Sequence, residues 1–232
     1  TNRNLDVTAV PTVTQLVECA LRHVPAAATL KERFDSFSLQ LEAERRKSRG
    51  APAAMSAKYT SACINKLLGD DTLVVNEYPL VLEELEIRLP CRYYASAPSG
   101  GLGWGLGAAL GAKLAAPGKT VICAVGDGAY MFGNPTPAHW ISRAQDLPVL
   151  FLVFNNARWG AVHRATLSIY PDGYAAKAAV PPFTPLEPSP QFEKICEAGG
   201  GWGEHVTSPD QVMPALKRAL AVVRNEKRQA LL

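Results

Sequence analysis

The chain has 232 residues, and its 47% hydrophobic and 19% charged residues are typical of a folded globular protein. Its 24 basic and 21 acidic residues leave a net charge of +3, and the basic ones are scattered, so we expect no nucleic-acid partner. No apolar stretch approaches the roughly 18–20 residues that span a bilayer, so we expect no membrane partner either.

Both ends of the sequence look like interior positions of a longer protein. The chain begins at Thr1 without a methionine and stops within an apolar run that is typical of a strand. Residues 12–24 have apolar side chains at helical spacing without companion strands, whereas residues 30–48 are highly charged and helical in propensity. We therefore interpret the chain as the remnant of a preceding middle domain (1–28), a linker helix (29–54) and a separate domain (55–232).

From residue 55 onward, strand and helix patterns alternate. The predicted strands are residues 72–76, 92–96, 120–125, 149–154, 204–206 and 229–232. The predicted helices are residues 56–68, 102–116, 135–147, 190–198 and 209–224, with a long proline-rich loop at 170–190. This alternation predicts an α/β fold, a doubly wound and mostly parallel sheet with helices on both faces.

The five cysteines are widely separated and form no C-x-x-C pair. This pattern matches neither a disulfide framework nor a zinc site. Most of them lie in apolar sequence and are predicted to be small core residues in a reducing compartment. We therefore expect an intracellular protein, in the cytoplasm or in an organelle.

Polar residues close two consecutive strands of the predicted sheet. Gly126-Asp127-Gly128 follows the strand 120–125, and Asn155-Asn156 follows the strand 149–154. The carboxyl ends of parallel strands meet at one edge, where ligands of open α/β sheets bind. Carboxylate and carboxamide oxygens, with no His or Cys beside them, suit a hard cation such as Mg2+ together with a phosphate. The alternative is that these residues only make the turns that end two strands.

Three oxygens are candidate ligands of such a cation. Asp127 can coordinate it directly, and the flanking glycines let the backbone approach a diphosphate. The side-chain oxygen of Asn156 is a second candidate, and the backbone carbonyl of Arg158 is a third. Diphosphate oxygens and water would complete an octahedron.

A glycine-rich segment at residues 99–108 supports a competing interpretation. Within it, Gly103 to Ala108 fits the pattern G-x-G-x-x-A, and Asp127 follows at a strand end about 20 residues later, as in a nicotinamide-dinucleotide site. A ribose-binding acid does not need a glycine on each side, however, and this interpretation leaves Asn155-Asn156 unexplained.

Together these motifs resemble those of a known family. Their order along the chain is similar to that in the diphosphate-binding domain of the benzoylformate decarboxylase and acetolactate synthase group of thiamine-diphosphate (ThDP) enzymes. The resemblance covers residues 55–232, and residues 1–54 resemble the end of that group's flavoprotein-like middle domain. It rests on Val75-Asn76-Glu77, Arg92-Tyr93-Tyr94, Gly100-Gly101-Leu102-Gly103, Gly126-Asp127-Gly128 and Asn155-Asn156.

The resemblance implies the ThDP-binding fold, ThDP and Mg2+ as cofactors, and a role for each site residue. The Gly100 carbonyl would accept from the 4′-amino group of ThDP, and Leu102 would be the bulky wedge that bends the cofactor. The cofactor-binding set so implied is Gly100, Leu102, Gly126, Gly128, Ala129 and Asn76. The metal-binding set is Asp127, Asn156 and Arg158.

The implied activity is that of a ThDP- and Mg2+-dependent lyase or carboligase acting on a 2-oxo acid or related carbonyl. Enzymes of this group use a glutamate from a separate pyrimidine-binding domain, on the same or a partner chain, and assemble as dimers or tetramers. Nothing in this chain matches that glutamate, so we expect no catalytic residue here and no activity of the chain alone. A nicotinamide-dependent oxidoreductase and a non-catalytic relative of the same fold remain alternatives.

Two departures from the group's pattern bear on the site. Tyr78-Pro79-Leu80 stands where benzoylformate decarboxylase has hydroxyl residues, which argues against a phosphate contact there. The segment 129–148 is also about two residues longer than usual for the group, around residues 134–137. Of the four histidines, none has metal-ligand spacing, and His163 is the one best placed to face a substrate. Trp159 is predicted to be either core or pocket wall.

Overall fold

The computed structural model describes residues 55–95, 101–180 and 182–232 of the chain. The described strands are β1 (Thr72–Glu77), β2 (Tyr93–Ala95), β3 (Thr120–Gly126), β4 (Val149–Phe154), β5 (Trp202–Gly203) and β6 (Ala230–Leu231). They form one sheet in the order β2-β1-β3-β4-β6-β5, and every pair in it is parallel. The predicted α/β fold is confirmed, and the described sheet is wholly parallel.

The described ranges contain eight helices, and helices pack on both faces of the sheet. They are α1 (Ala57–Asn65), α2 (Trp104–Ala115), α3 (Asp127–Phe132), α4 (Pro135–Ala144), α5 (Gly160–Ile169), α6 (Tyr174–Lys177), α7 (Phe192–Ala198) and α8 (Pro209–Asn225), with a short 3-10 turn at Leu82–Glu84.

Alternate residues of the central strands face opposite sides of the sheet, because successive side chains of a strand point in opposite directions. Ile122 and Leu150 belong to the core beneath α1 and α8. Val121, Cys123 and Phe151 belong to the core beneath α2, α4 and α7. This two-sided burial explains why these strands are continuous apolar runs.

The register of the two central strands places their ends side by side. Gly126, the last residue of β3, pairs with Phe154, the last residue of β4. The next residues, Asp127 and Asn155, therefore leave the sheet at the same edge. This confirms the expectation that the two polar strand ends meet.

Several element boundaries differ from those predicted. Helices α3 and α5 were not predicted, because each is rich in glycine or β-branched and aromatic residues near its start. The strand predicted at 204–206 lies at Trp202–Gly203 instead. A Cβ at Gly203 would lie 2.6 Å from the backbone oxygen of Glu193, so only glycine allows this strand to pass so close to α7.

Other sequence predictions fall outside the described residues. These are the middle-domain remnant at 1–28, the linker helix at 29–54 and the cofactor contact at Gly100. Within the described ranges, the helices are too short or too polar to cross a bilayer.

Candidate cofactor-binding site

The Asp127 carboxylate joins the two central strand ends. Asp127 is buried, and its Oδ1 accepts a hydrogen bond of 2.8 Å from the Gly128 amide. Its Oδ2 accepts from the backbone amides of Asn156 and Arg158, each at 3.2 Å. A carboxylate has about four acceptor positions, so it retains capacity for a cation after these three bonds.

The loop after β4 is ordered by its own polar groups. The Asn156 side-chain oxygen accepts from the Arg158 amide at 3.1 Å, and the Asn155 side-chain oxygen accepts from the Ala157 amide at 2.9 Å. Ala157 has a positive φ of 54°. The Asn155 amide group also donates to Ser189 Oγ at 2.7 Å, which ties the loop to the proline-rich stretch. The loop is therefore held around Asp127.

A cleft of about 750 Å³ opens above the carboxyl ends of β3 and β4. It contains all three predicted metal ligands and four of the predicted cofactor contacts. The sequence-predicted residues that line it are Leu102, Gly126, Asp127, Gly128, Ala129, Asn156 and Arg158. A Cβ added at Gly126 would meet no protein atom within 4 Å, so the space above this glycine is open to a ligand.

Trp159 forms a wall of this cleft. A Cβ at Gly128 would lie 2.6 Å from Cε3 of the Trp159 ring, so the ring packs directly on the glycine backbone. Phe132 meets the same indole edge-on, with 6.5 Å between ring centroids. Between the two roles predicted for Trp159, the structure therefore assigns that of a pocket wall.

Asn76 does not face the cleft, although it was predicted to bind the cofactor. Its amide nitrogen donates to the Tyr93 hydroxyl at 2.8 Å, and its side-chain oxygen accepts from the Leu80 amide at 3.0 Å. Asn76 is buried. Its partner Tyr93 is buried as well, which raises the pKa of the Tyr93 hydroxyl above its usual value. The Asn76 side chain therefore holds the end of β1 to β2 and to the turn that follows. That turn includes Tyr78, whose φ is 78°.

Glu77 is the important buried residue that sequence reasoning missed. Its carboxylate is fully buried and accepts from the backbone amides of Gly103 at 2.5 Å and Gly105 at 2.8 Å. Glu77 therefore stabilises the amino-terminal end of α2, where unpaired amide groups favour a negative charge. The sequence shows a glutamate at the end of a strand. Only the folded structure shows that its carboxylate lies against the glycine-rich segment at the start of α2.

The position of Glu77 argues against the nicotinamide interpretation. In a dinucleotide site, the amides of the glycine-rich turn bind the pyrophosphate. Here the amides of Gly103 and Gly105 are bonded to the protein's own carboxylate. The pattern from Gly103 to Ala108 is therefore a helix start closed by Glu77, and the fingerprint match is wrong.

The histidines do not form a metal site in the described part of the chain. His139 is fully buried, whereas the predicted substrate-facing His163 is not among the residues that line the cleft. His205 lies in the lining instead. Residues 55–95, 101–180 and 182–232 contain no group of three or more His, Cys, Asp or Glu side chains arranged to hold a metal.

A family model supplies the deciding comparison. Residues 77–232 match the model described as "Thiamine pyrophosphate enzyme, C-terminal TPP binding domain". The chain belongs to this family. The match covers β3, β4 and the loop that surrounds Asp127.

Individual relatives agree with this assignment. The TPP-binding domain is 35% identical over 138 residues to the acetolactate synthase large subunit IlvG of Mycobacterium tuberculosis, covering 59% of this chain and 23% of that relative. It is 33% identical over 143 residues to benzoylformate decarboxylase of Pseudomonas aeruginosa, covering 61% of this chain and 25% of that relative. The matched part of the chain thus spans about a quarter of each curated relative.

A solved structure is similar in fold. The ThDP-dependent 4-hydroxybenzoylformate decarboxylase of Rhodococcus jostii RHA1 superposes with a TM-score of 0.65 and 26% sequence identity. The superposition covers 78% of this chain and 32% of that one.

The residues of the TPP-binding domain fit a magnesium diphosphate. Asp127 offers a carboxylate oxygen, Asn156 a carboxamide oxygen and Arg158 a backbone carbonyl, all of which are hard oxygen donors. The hydrogen bonds from the backbone amides of Asn156 and Arg158 to Asp127 bring these three residues together in the lining of the cleft. The open space above Gly126 is of the kind that a closely approaching diphosphate would need.

Proposed function

We propose that this chain is the diphosphate-binding part of a ThDP- and Mg2+-dependent lyase or carboligase that acts on a 2-oxo acid or related carbonyl compound. The observation that supports it best is the convergence of Asp127, Asn156 and Arg158 at one end of the cleft. The backbone amides of two of these residues donate hydrogen bonds to the third, so the protein itself holds the three residues together. The bound cofactor would supply an electron sink for breaking or making a bond next to a carbonyl.

The residues of this chain would hold the cofactor rather than react. We assign the metal to Asp127, Asn156 and the Arg158 carbonyl, and the diphosphate to the backbone of Gly126, Gly128 and Ala129. Leu102 would support the bent cofactor from the side of α2. We also retain Gly100 as a proposed backbone contact. Asn76 is left out of the set because its side chain is bonded to Leu80 and Tyr93.

The remaining parts of the active site would come from elsewhere in the complete protein. A pyrimidine-binding domain of the same or a partner chain would bring the glutamate that activates the cofactor, in a homodimer or tetramer. We expect the complete protein to be an intracellular, cytoplasmic enzyme. We expect the 232 residues alone to show no decarboxylase or ligase turnover with any 2-oxo acid, and robust ThDP-dependent turnover by them would contradict this.

A titration of the full-length protein tests the proposed function. ThDP and NAD would each be added with Mg2+ and again with EDTA, while tryptophan fluorescence is recorded, since Trp159 lies in the cleft wall. We expect a Mg2+-dependent change in fluorescence with ThDP and no change with NAD. Carbon dioxide release and carbon–carbon bond formation would then be assayed with a panel of 2-oxo acids. Binding of NAD without binding of ThDP would overturn the proposal.

Leu102→Ala separates a cofactor-supporting leucine from an ordinary core leucine. Leu102, in the turn before α2, is half-buried and lines the cleft, whereas Leu106, in the first turn of α2, is 1% exposed. We expect Leu102→Ala to cause a small loss of apo stability and a marked loss of turnover in the complete enzyme. Leu106→Ala, the control, should cost about 2–5 kcal/mol of stability. Thermal melts and activity assays of both variants measure this. A large stability loss for Leu102→Ala with unchanged turnover per folded molecule would disprove its supporting role.

A further inference from the structure

Three polar side chains form a buried network beneath α3. The Tyr130 hydroxyl lies 2.6 Å from His139 Nε2, and His139 Nδ1 lies 2.7 Å from Gln229 Oε1. The Gln229 amide nitrogen donates to the carbonyls of His139 at 2.9 Å and Gly199 at 3.1 Å. Tyr130 and His139 are 0% exposed and Gln229 is 3% exposed. The network therefore links α3 and α4 to the residue before β6, wholly within the core.

The hydrogen bonds assign one proton arrangement to this network. The Gln229 amide nitrogen faces two carbonyls, so its oxygen must accept the Nδ1 proton of His139. Nε2 is then an acceptor for the Tyr130 hydroxyl. Burial agrees with this arrangement, because it lowers the pKa of His139 and raises the pKa of Tyr130, which keeps both groups neutral. Every bond of the network therefore has a definite direction.

The rings of the network pack against the elements on which the cleft is built. The Tyr130 ring meets Phe192 of α7 edge-on at 5.4 Å between centroids, and His139 meets Phe151 of β4 edge-on at 4.9 Å. Tyr130 follows Asp127 by three residues in a helix of only six residues. The orientation of α3, and of the Asp127 carboxylate at its start, thus depends on where the Tyr130 side chain is held.

We propose that Tyr130, His139 and Gln229 are positioning residues that fix α3 in the orientation in which Asp127 and Gly128 bind the magnesium diphosphate. This rests on the proposed function, because it assumes that the cleft binds ThDP. Apolar side chains of similar volume would fill the same core without the cost of burying polar groups. Unlike apolar contacts, hydrogen bonds are directional, so this network can fix the orientation of the short helix α3.

The test compares ThDP affinity with stability in the full-length protein. Tyr130→Phe removes one hydroxyl and keeps the ring contacts, and Gln229→Met breaks the other end of the network, away from the cleft. Outer-shell partners of a metal site typically change affinity by about 10–100-fold, so we expect each variant to raise the Kd for ThDP with Mg2+ by about 10-fold. Val222→Ala is the control. It shortens a core side chain on the opposite face of the sheet, and we choose it to lower stability by an amount comparable to that of the two network variants.

The outcomes distinguish this inference from the proposed function. A raised Kd for Tyr130→Phe and Gln229→Met, with an unchanged Kd for Val222→Ala, supports the positioning role. An unchanged Kd in a folded Tyr130→Phe or Gln229→Met protein overturns it, as does an equal rise in the Val222→Ala control. Asp127→Ala is measured alongside. If that variant also binds ThDP like the parent, the proposed function fails together with the inference drawn from it.

Discussion

Replacing Asp127 is expected to abolish Mg2+-dependent binding of ThDP. The carboxylate is the one charged group among the three proposed metal donors, and a hard divalent cation depends strongly on such a ligand. Asn156→Ala should weaken binding in the same direction but less, because it removes a neutral donor. Isothermal titration of ThDP into the full-length protein, with Mg2+ and with EDTA, measures both effects.

The structure adds a second consequence to the loss of Asp127. Its carboxylate accepts three backbone hydrogen bonds, two of them from the loop after β4. Hydrogen bonds to charged groups contribute about 1.5–3 kcal/mol, so Asp127→Ala should also loosen that loop and lower the melting temperature. Asp127→Asn is the matched variant, because it keeps an acceptor oxygen in the same place and removes the charge.

The two variants together isolate the role of the metal. Asp127→Asn should lose less stability than Asp127→Ala, because its one acceptor oxygen can keep the bonds from Asn156 and Arg158 while the Gly128 amide loses its partner. It should still lose Mg2+-dependent ThDP binding. Asp127→Ala should lose both. A folded Asp127→Asn protein with the parent's affinity for ThDP, and the same dependence on Mg2+, would show that the metal is held elsewhere.

The meeting of Asp127 with Asn156 could be predicted from the sequence because it follows from parallel strand pairing. Two apolar runs of similar length, with a crossover helix between them, must bring their carboxyl ends to one edge. The glycines beside Asp127 and the paired asparagines then point to an anion and a hard cation. No knowledge of side-chain rotamers is needed for this step.

The roles of Asn76 and Glu77 could not be predicted in the same way. Both end the same strand, and neighbouring side chains of a strand point to opposite faces. Asn76 reaches Tyr93 on one side, and Glu77 reaches the amides of α2 on the other. The partner of Asn76 is 17 residues away in sequence and that of Glu77 is 26 residues away. Tertiary packing therefore decides which contacts each of these polar side chains makes.

The buried network around His139 was also beyond sequence reasoning. An isolated histidine in a helix is usually a surface or packing residue, and its partner Gln229 is 90 residues away. Only the packing of α4 against the segment before β6 brings them together. The short helix α3 was missed for a related reason, because its first residues read as the turn that ends β3.

Loss of the Glu77 carboxylate is expected to destabilise the domain at the start of α2. Glu77→Gln keeps the shape of the side chain but replaces one acceptor oxygen with an amide group, which faces the donor of Gly103 or Gly105. One buried backbone N–H is then unpaired, which costs about 1–3 kcal/mol. Thermal melting of the apo full-length protein measures the loss. Glu226→Gln, which removes the same charge from an exposed site, should change the melting temperature little.

A pair of glycine variants tests the same contact from the helix side. A Cβ at Gly105 would lie 2.9 Å from Glu77 Oε2 and 3.0 Å from Val125, whereas a Cβ at Gly107 would meet nothing within 4 Å. Alanine is favoured over glycine in a helix by about 1 kcal/mol, so Gly107→Ala should raise the melting temperature. Gly105→Ala has the same helical preference but displaces the Glu77 carboxylate, so it should lower the melting temperature instead. Because the two substitutions differ only in what the added methyl group meets, equal stabilisation by both would show that the bonds from Glu77 to α2 contribute little.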